Sequence, residues 1–246
     1  AVLTHSAVAD NSSYEVDTSE PTVTAVSIPD VAMNVGDTVT ATITVSGATG
    51  EALTLASSNV GGFTLGSLSK TNDTTYTATF TVAEGGTDVL AGSDIPVSVQ
   101  LVDPAGNTSN TFTTAISQSS DSIDANAPGI STVALTSATG AQNGLLNAGD
   151  VVTATVTFDE AVTVTGTPQL ALNIGGTTVQ ADYDAGSNST ELTFTYTILA
   201  NQTDADGISI DANSLALNSG TIADAAGNAA VLTHSAVADN SSYEVD

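Results

Sequence analysis

The chain has 246 residues, of which 27 are acidic and a single one, Lys70, is basic; its formal net charge is −26 at pH 7, yet 41% of it is hydrophobic. The aliphatic content excludes a disordered acidic tail, which cannot bury enough apolar surface to offset its ordering entropy. The charge excludes nucleic acid and anionic membrane as natural partners, because phosphate recognition needs Lys and Arg; cations are the obvious partner, and simple solubility is the bland alternative. There is no cysteine, hence no disulfide, no thiolate metal site and no cysteine nucleophile.

In chain order, the first element is also the last. Residues 1 to 17, AVLTHSAVADNSSYEVD, return letter for letter as residues 230 to 246. Such identity predicts a window from an array of near-identical repeats, selected for what a row of units does rather than for one reaction centre. Segment 1 to 17 is then a final strand severed from its own domain, expected to pack against a neighbour or to continue the joint. Two joints follow, Val16-Asp17-Thr18-Ser19-Glu20-Pro21 and Ile123-Asp124-Ala125-Asn126-Ala127-Pro128. Each proline stiffens the connection and forces its predecessor into extended geometry. They divide the chain into a terminal strand and linker (1 to 17) and two units, 18 to 124 and 125 to 246, each long enough to bury a core.

Within the units a two-residue period dominates. In 37 to 45, Val39, Ala41, Ile43 and Val45 alternate with Thr38, Thr40, Thr42 and Thr44, so one face packs and the other is wet. Residues 150 to 158 repeat that strand in the second unit. Further strands are predicted at 22 to 28, 74 to 83, 94 to 102 and 109 to 117, then at 130 to 136, 168 to 173, 177 to 183, 189 to 198, 207 to 217 and 230 to 238. Gly, Asn, Asp and Ser punctuate them, and no amphipathic helix or bilayer-spanning apolar run is present. The expected fold is all-β: two tandem antiparallel sandwiches of immunoglobulin type.

One short motif occurs twice, Asp103-Pro-Ala-Gly-Asn107 and Asp224-Ala-Ala-Gly-Asn228, each before the last strand of its unit. It reads as a tight turn in which Gly takes positive φ and Asp or Asn bonds its own backbone. Its oxygens also suit Ca2+, which takes six to eight oxygen ligands. Sandwich topology places this turn, the loop after the second strand and the incoming linker at one pole. In the second unit that gathers Asp124, Asn126, Asp159, Glu160, Asp224 and Asn228; in the first, Asp17, Glu20, Glu51, Asp103 and Asn107. Carboxylates so crowded repel unless a cation sits among them. Asp37 and Asp150, which begin the second strands, fall at the opposite pole and face the following linker. A further acidic loop, Asp204-Ala-Asp206-Gly207 with Asp211 and Asn213, fails the spacing of a helix-loop-helix calcium site; it reads as a solvated turn in preference to a separate, weaker ion site.

The paired Asp-x-Ala-Gly-Asn turns, the Asp-x-x-x-Pro linkers and Phe158-Asp159-Glu160-Ala161-Val162 together resemble the bacterial immunoglobulin-like extender repeats of giant calcium-dependent surface adhesins (RTX-type) exported by type I secretion. The resemblance implies a monomeric rod on the bacterial cell surface. Its tandem sandwiches meet neighbouring repeats of the same chain at linkers stiffened by Ca2+, and hold a distal binding domain away from the cell. By motif position it implicates Asp17, Asp103, Asn107, Asp124, Glu160, Asp224 and Asn228. The first unit departs in having Ser46-Gly-Ala-Thr-Gly-Glu51 in place of the Asp159-Glu160 pair, which predicts a weaker or differently built site there.

Two other classes compete with this reading. An enzyme is disfavoured, because His5 and His234 are one residue copied, no nucleophile elbow or metal-binding His pair occurs, and a sugar cleft would want aromatics in a chain with no Trp. Direct binding of carbohydrate or ice by the threonine rows is the stronger rival. It requires an exposed patch, or a pocket carrying an aromatic, away from the joints.

Overall fold

The computed structural model describes residues 7, 9, 16–120 and 122–246. The packing expected for segment 1 to 17 lies, except at residues 7, 9, 16 and 17, outside the described residues. The chain divides into two compact units, the first ending at Ile123 and the second beginning at Asp124.

The first unit is built on the threonine-valine alternation. Thr38–Ser46 pairs antiparallel with Thr22–Ser27 on one side and Thr75–Thr81 on the other, and Ser69–Lys70 completes that layer. Val39, Ala41, Ile43 and Val45 are buried, as are Tyr76, Ala78 and Phe80 on the adjoining strand. On the outer face the two strands meet threonine to threonine, with Thr38 opposite Thr81, Thr40 opposite Thr79, Thr42 opposite Thr77 and Thr44 opposite Thr75. Cross-strand pairs of β-branched residues support a sheet by a few tenths of a kcal/mol to about 1 kcal/mol each.

The facing layer is made of shorter pairings. Asn59–Val60 joins Phe63–Thr64 to Val97–Ser98, Leu101–Val102 pairs with Thr54–Leu55, and single bridges link Val99 to Phe112 and Ile95 to Ile116. Here too the period is two: Ile95, Val97, Val99 and Leu101 are all buried. The layers meet at stacked rings of Phe63 and Phe80, whose centroids lie 5.9 Å apart. This is the strand grouping of an immunoglobulin sandwich. The strand predicted at 109 to 117 survives only as isolated bridges at Phe112 and Ile116, while the short pairings at 54–55, 59–60 and 63–64 had no sequence signal. Pairings of two residues are too brief to show a period.

In the second unit one long sheet wraps a single core. Ile130–Thr139, Val151–Thr165, Ser189–Thr197, Thr177–Ala185, Gln169–Ile174 and Leu215–Ala216 are hydrogen-bonded in that order. Val151–Thr165 serves both sides: its first half pairs with Ser189–Thr197, and Thr163, Val164 and Thr165 pair with Thr221–Ala223. A register shift between Thr157 and Val162 marks where it crosses. This corrects the reading of Asp159 and Glu160 as a loop after the strand, because both lie inside it, at a bulge that bends it from one layer to the other. Phe194, Leu170, Leu172, Ile174, Leu192 and Ile208 fill the core. Burying each of these side chains contributes about 1.5–3 kcal/mol. The strand predicted at 230 to 238 is reduced to bridges at Val231 and Val237.

Each unit closes in the same way. Met33 N–H donates to Ser122 O at 2.8 Å, and Ile123, 1% exposed, exchanges two 2.8 Å bonds with Val89. In the second unit Glu244–Val245 pairs in parallel with Leu145–Leu146, and Val245 exchanges bonds of 2.8 and 2.9 Å with Asp204. No helix among the described residues is long and apolar enough to cross a membrane.

Candidate metal centre

The repeated Asp-x-Ala-Gly-Asn motif forms the expected turn, with Gly106 and Gly227 at φ of 96° and 106°. Asp103 is buried, and its Oδ1 accepts Asn107 N–H at 2.8 Å while its Oδ2 accepts the Asn107 side-chain amide, also at 2.8 Å. Burial by itself would raise the Asp103 pKa. The hydrogen bonds from the Asn107 side chain and from the backbone of Asn107, Gly106 and Ala105 outweigh that and hold it below the ordinary 3.8. The same Asn107 amide donates to the linker carbonyl of Asp17 at 3.2 Å.

Asp17 and Glu51 complete the site. One carboxylate oxygen from each of Asp17, Glu51 and Asp103 lies within 4.8 Å of the other two, and this is the only such set of three among the described residues. Glu51 Oε2 is buried without a hydrogen-bond partner. Burial first, then the charges of Asp17 and Asp103, push the Glu51 pKa above its ordinary 4.5. Asp17 is exposed and accepts Ser19 N–H at 2.9 Å. Glu20 is exposed and outside the trio, although its carbonyl packs where a Cβ on Gly47 would come to 2.7 Å.

Glu51 reaches the pole because the chain leaves Thr38–Ser46 through a loop held at several points. Gly47 and Gly50 adopt φ of 85° and 84°. Gly50 N–H donates to Asp73 O at 2.8 Å, Lys70 Nζ donates to Gly50 O at 2.8 Å, and Tyr76 OH donates to Glu51 O at 2.6 Å. Nothing in the motif pattern pointed to Lys70 or Tyr76. The available signal was that Lys70 is the lone cation of the chain.

The second unit repeats the turn but not the trio. Asp224 Oδ1 accepts Gly227 N–H at 2.6 Å and Asn228 N–H at 2.9 Å, and its Oδ2 accepts the Asn228 amide at 2.9 Å. That amide also faces the carbonyls of Asp124 and Asn126, each at 3.4 Å. Asn126 N–H reaches Asp124 Oδ1 at 3.3 Å. Asp159 turns to the linker backbone, its Oδ1 accepting Gly129 N–H at 2.8 Å. Asp124, Asp159, Glu160 and Asp224 therefore do not converge as three close carboxylates. The gathering expected most strongly here is found in the first unit, with Glu51 in the place the sequence marked as a departure.

Asp37 and Asp150 occupy identical turns at the closing end of their units. Asp37 Oδ2 accepts Asn34 N–H and Asp150 Oδ2 accepts Asn147 N–H, both at 2.8 Å. Neither belongs to a close carboxylate trio. Asp204, read as part of a solvated turn, is instead buried, its two oxygens accepting Gly175 N–H at 2.8 Å and Gly207 N–H at 3.0 Å. A hydrogen bond with Asp204, aided by the charge of Asp239, raises the pKa of exposed Asp206 above its ordinary 3.8. His234 is satisfied structurally: Nε2 accepts Ser214 N–H at 2.9 Å and Nδ1 lies 2.9 Å from Ser235 O. A cavity of about 600 Å³ lies beside Phe63 and Phe80, which are only 8% and 2% exposed.

Residues 17–123 match the family model of the bacterial Ig-like domain, and the match ends where the first unit ends. No curated protein matches the chain. Similar solved structures include a chimeric titin Z1Z2 carrying a decorin peptide, at 15% identity over 94% of this chain and 99% of that one, with a TM-score of 0.25. An I-band fragment of titin is 10% identical over 93% of this chain and 64% of its own length, TM-score 0.35. Dimeric latent PorU from Porphyromonas gingivalis is 13% identical over 93% and 24%, TM-score 0.25. These likenesses are too distant to carry any argument about function.

Proposed function

We propose that the chain is an extender segment of a bacterial cell-surface adhesin, in which Ca2+ held by Asp17, Glu51 and Asp103 fixes a linker to the domain it enters. The observation that carries this reading is Glu51 Oε2, a buried carboxylate oxygen with no partner, facing two further carboxylates. An ionised group left so is costly.

The donor set fits the ion. Calcium takes oxygen ligands at about 2.3–2.6 Å, so ligands on opposite sides of one ion stand about 5 Å apart, matching the spread of this trio. The site offers only oxygens, with no nitrogen or sulfur that would favour zinc or copper. When bound, a divalent cation supplies the positive charge that three carboxylates and a chain of net charge −26 otherwise lack. The remaining work is done by the chain. Asn107 orients Asp103 and grips Asp17 O, the 47–51 loop presents Glu51, and Asp17 carries the linker.

In the second unit the equivalent attachment is made by protein groups, Asn228 to the carbonyls of Asp124 and Asn126. Repetition of the linker sequence at 16–17 and 245–246 would propagate the device along an array of neighbouring repeats. An extracellular location, where calcium is abundant, suits such a joint. The test is solution scattering and thermal unfolding of the chain with calcium and with chelator. Chelation is expected to loosen the particle and lower the melting temperature of the first unit, since a ligand bound only by the folded state stabilises it. Identical profiles in both conditions would refute the reading.

A further inference from the structure

We infer that Lys70 is a positioning residue for the Asp17–Glu51–Asp103 site: paired with Tyr76, it fixes the 47–51 loop and so delivers Glu51 to the other two carboxylates. This rests on the calcium reading above. A lone cation in so acidic a chain would ordinarily be taken for a solvated surface charge, and its single ion pair, Nζ to Asp73 Oδ1 at 3.0 Å, for a weak contact. Its other bond says more. Lys70 and Tyr76 are cross-strand partners, opposite one another where Ser69–Lys70 pairs with Thr75–Thr81. From that one rung they donate to consecutive carbonyls of the loop, Lys70 Nζ to Gly50 O at 2.8 Å and Tyr76 OH to Glu51 O at 2.6 Å.

Elsewhere the loop is anchored by buried Ala48 and by few backbone bonds. Its backbone turns through two left-handed glycines, which add freedom rather than restraint. Gly50 N–H to Asp73 O is the one backbone bond that ties the Gly50 end to the neighbouring hairpin. Tyr76 is 1% exposed, and burial raises its hydroxyl pKa above 10.0, so it remains a donor. The contact by which Lys70 reaches the loop is to backbone, at Gly50 O.

The sign of the effect separates the two. If Lys70 acted only as a charge, removing a cation near an acidic site would tighten calcium binding. If it positions the loop, removal must weaken binding. The experiment is calorimetric titration of Ca2+ into the full chain and its Lys70→Met, Lys70→Arg, Tyr76→Phe and Asp17→Asn variants, with thermal unfolding in chelator to confirm that each folds. Lys70→Met and Tyr76→Phe are expected to weaken binding by about three- to tenfold, the worth of one hydrogen bond. Lys70→Arg, which can still reach Gly50 O, is expected to recover most of the loss. Unchanged or tighter binding by Lys70→Met, when Asp17→Asn abolishes it, overturns the positioning role and leaves the calcium site standing. A wild-type chain that takes up no calcium overturns both.

Discussion

Asn107 Nδ2 lies 3.2 Å from the carbonyl oxygen of Asp17, a residue 90 positions earlier in the chain, and the same nitrogen holds Asp103 Oδ2 at 2.8 Å. Asn228 makes the corresponding contacts to Asp124, Asn126 and Asp224. One amide thus orders a buried carboxylate and ties down the incoming linker. Replacing Asn228 by Ala would leave Asp224 Oδ2 buried without that donor, and is expected to destabilise the second unit by about 1–3 kcal/mol. Denaturant unfolding checks this, read as separate transitions because two domains need not melt together.

Glu51→Gln should act in opposite directions with and without calcium. In chelator the substitution removes a half-buried charge facing two like charges, so the first unit should melt higher than wild type, in keeping with the raised Glu51 pKa. With calcium present the ranking should invert. A thermal scan in each condition decides it.

Gly47→Ala should damage the linker attachment from a distance. Its φ of 85° is unfavourable for alanine, and the new Cβ would press on Glu20 O at 2.7 Å. A loss of about 1–2 kcal/mol in the first unit, with the second unit unchanged, is the expected result of chemical denaturation.

Asp206 gives a pH dependence unconnected with the metal site. Its folded pKa is raised by the hydrogen bond with Asp204 and by Asp239. A raised value means the proton stabilises the fold: the contribution is complete below 3.8 and is lost as pH rises through the folded value. Asp206→Asn, which mimics the protonated form, should therefore raise the melting temperature of the second unit at pH 7. The gain should vanish below pH 3.8.

Much of the fold was legible because burial writes a two-residue period. Val39 through Val45 and their threonines, and the matching run from Val152 to Phe158, are inward and outward as the alternation requires. Turn chemistry was legible for a similar reason, since Asp103 and Asp224 need a Gly and an Asn at fixed offsets. Strands that exist as one or two bridges, such as those at Phe112 and Val237, carry too few pairs for any pattern to survive. The bulge at Asp159 was misread because two adjacent acids look like a loop, whereas Phe158 and Val162 are both buried on either side of them. Glu51 was a candidate by position, but its convergence with Asp17 and Asp103 depends on Lys70, Tyr76 and two glycines. Those are tertiary contacts between segments that share no motif.

Calcium at the Asp17–Glu51–Asp103 trio is proposed to secure the linker. The most direct test is the melting temperature of the first unit as a function of Ca2+ concentration, in wild type and in Glu51→Gln. Calcium binding at the trio predicts a rise in wild type, worth about 2.7 kcal/mol at a hundredfold excess over Kd, and little or none in the variant. Equal responses in the two proteins, or no response in either, would contradict it.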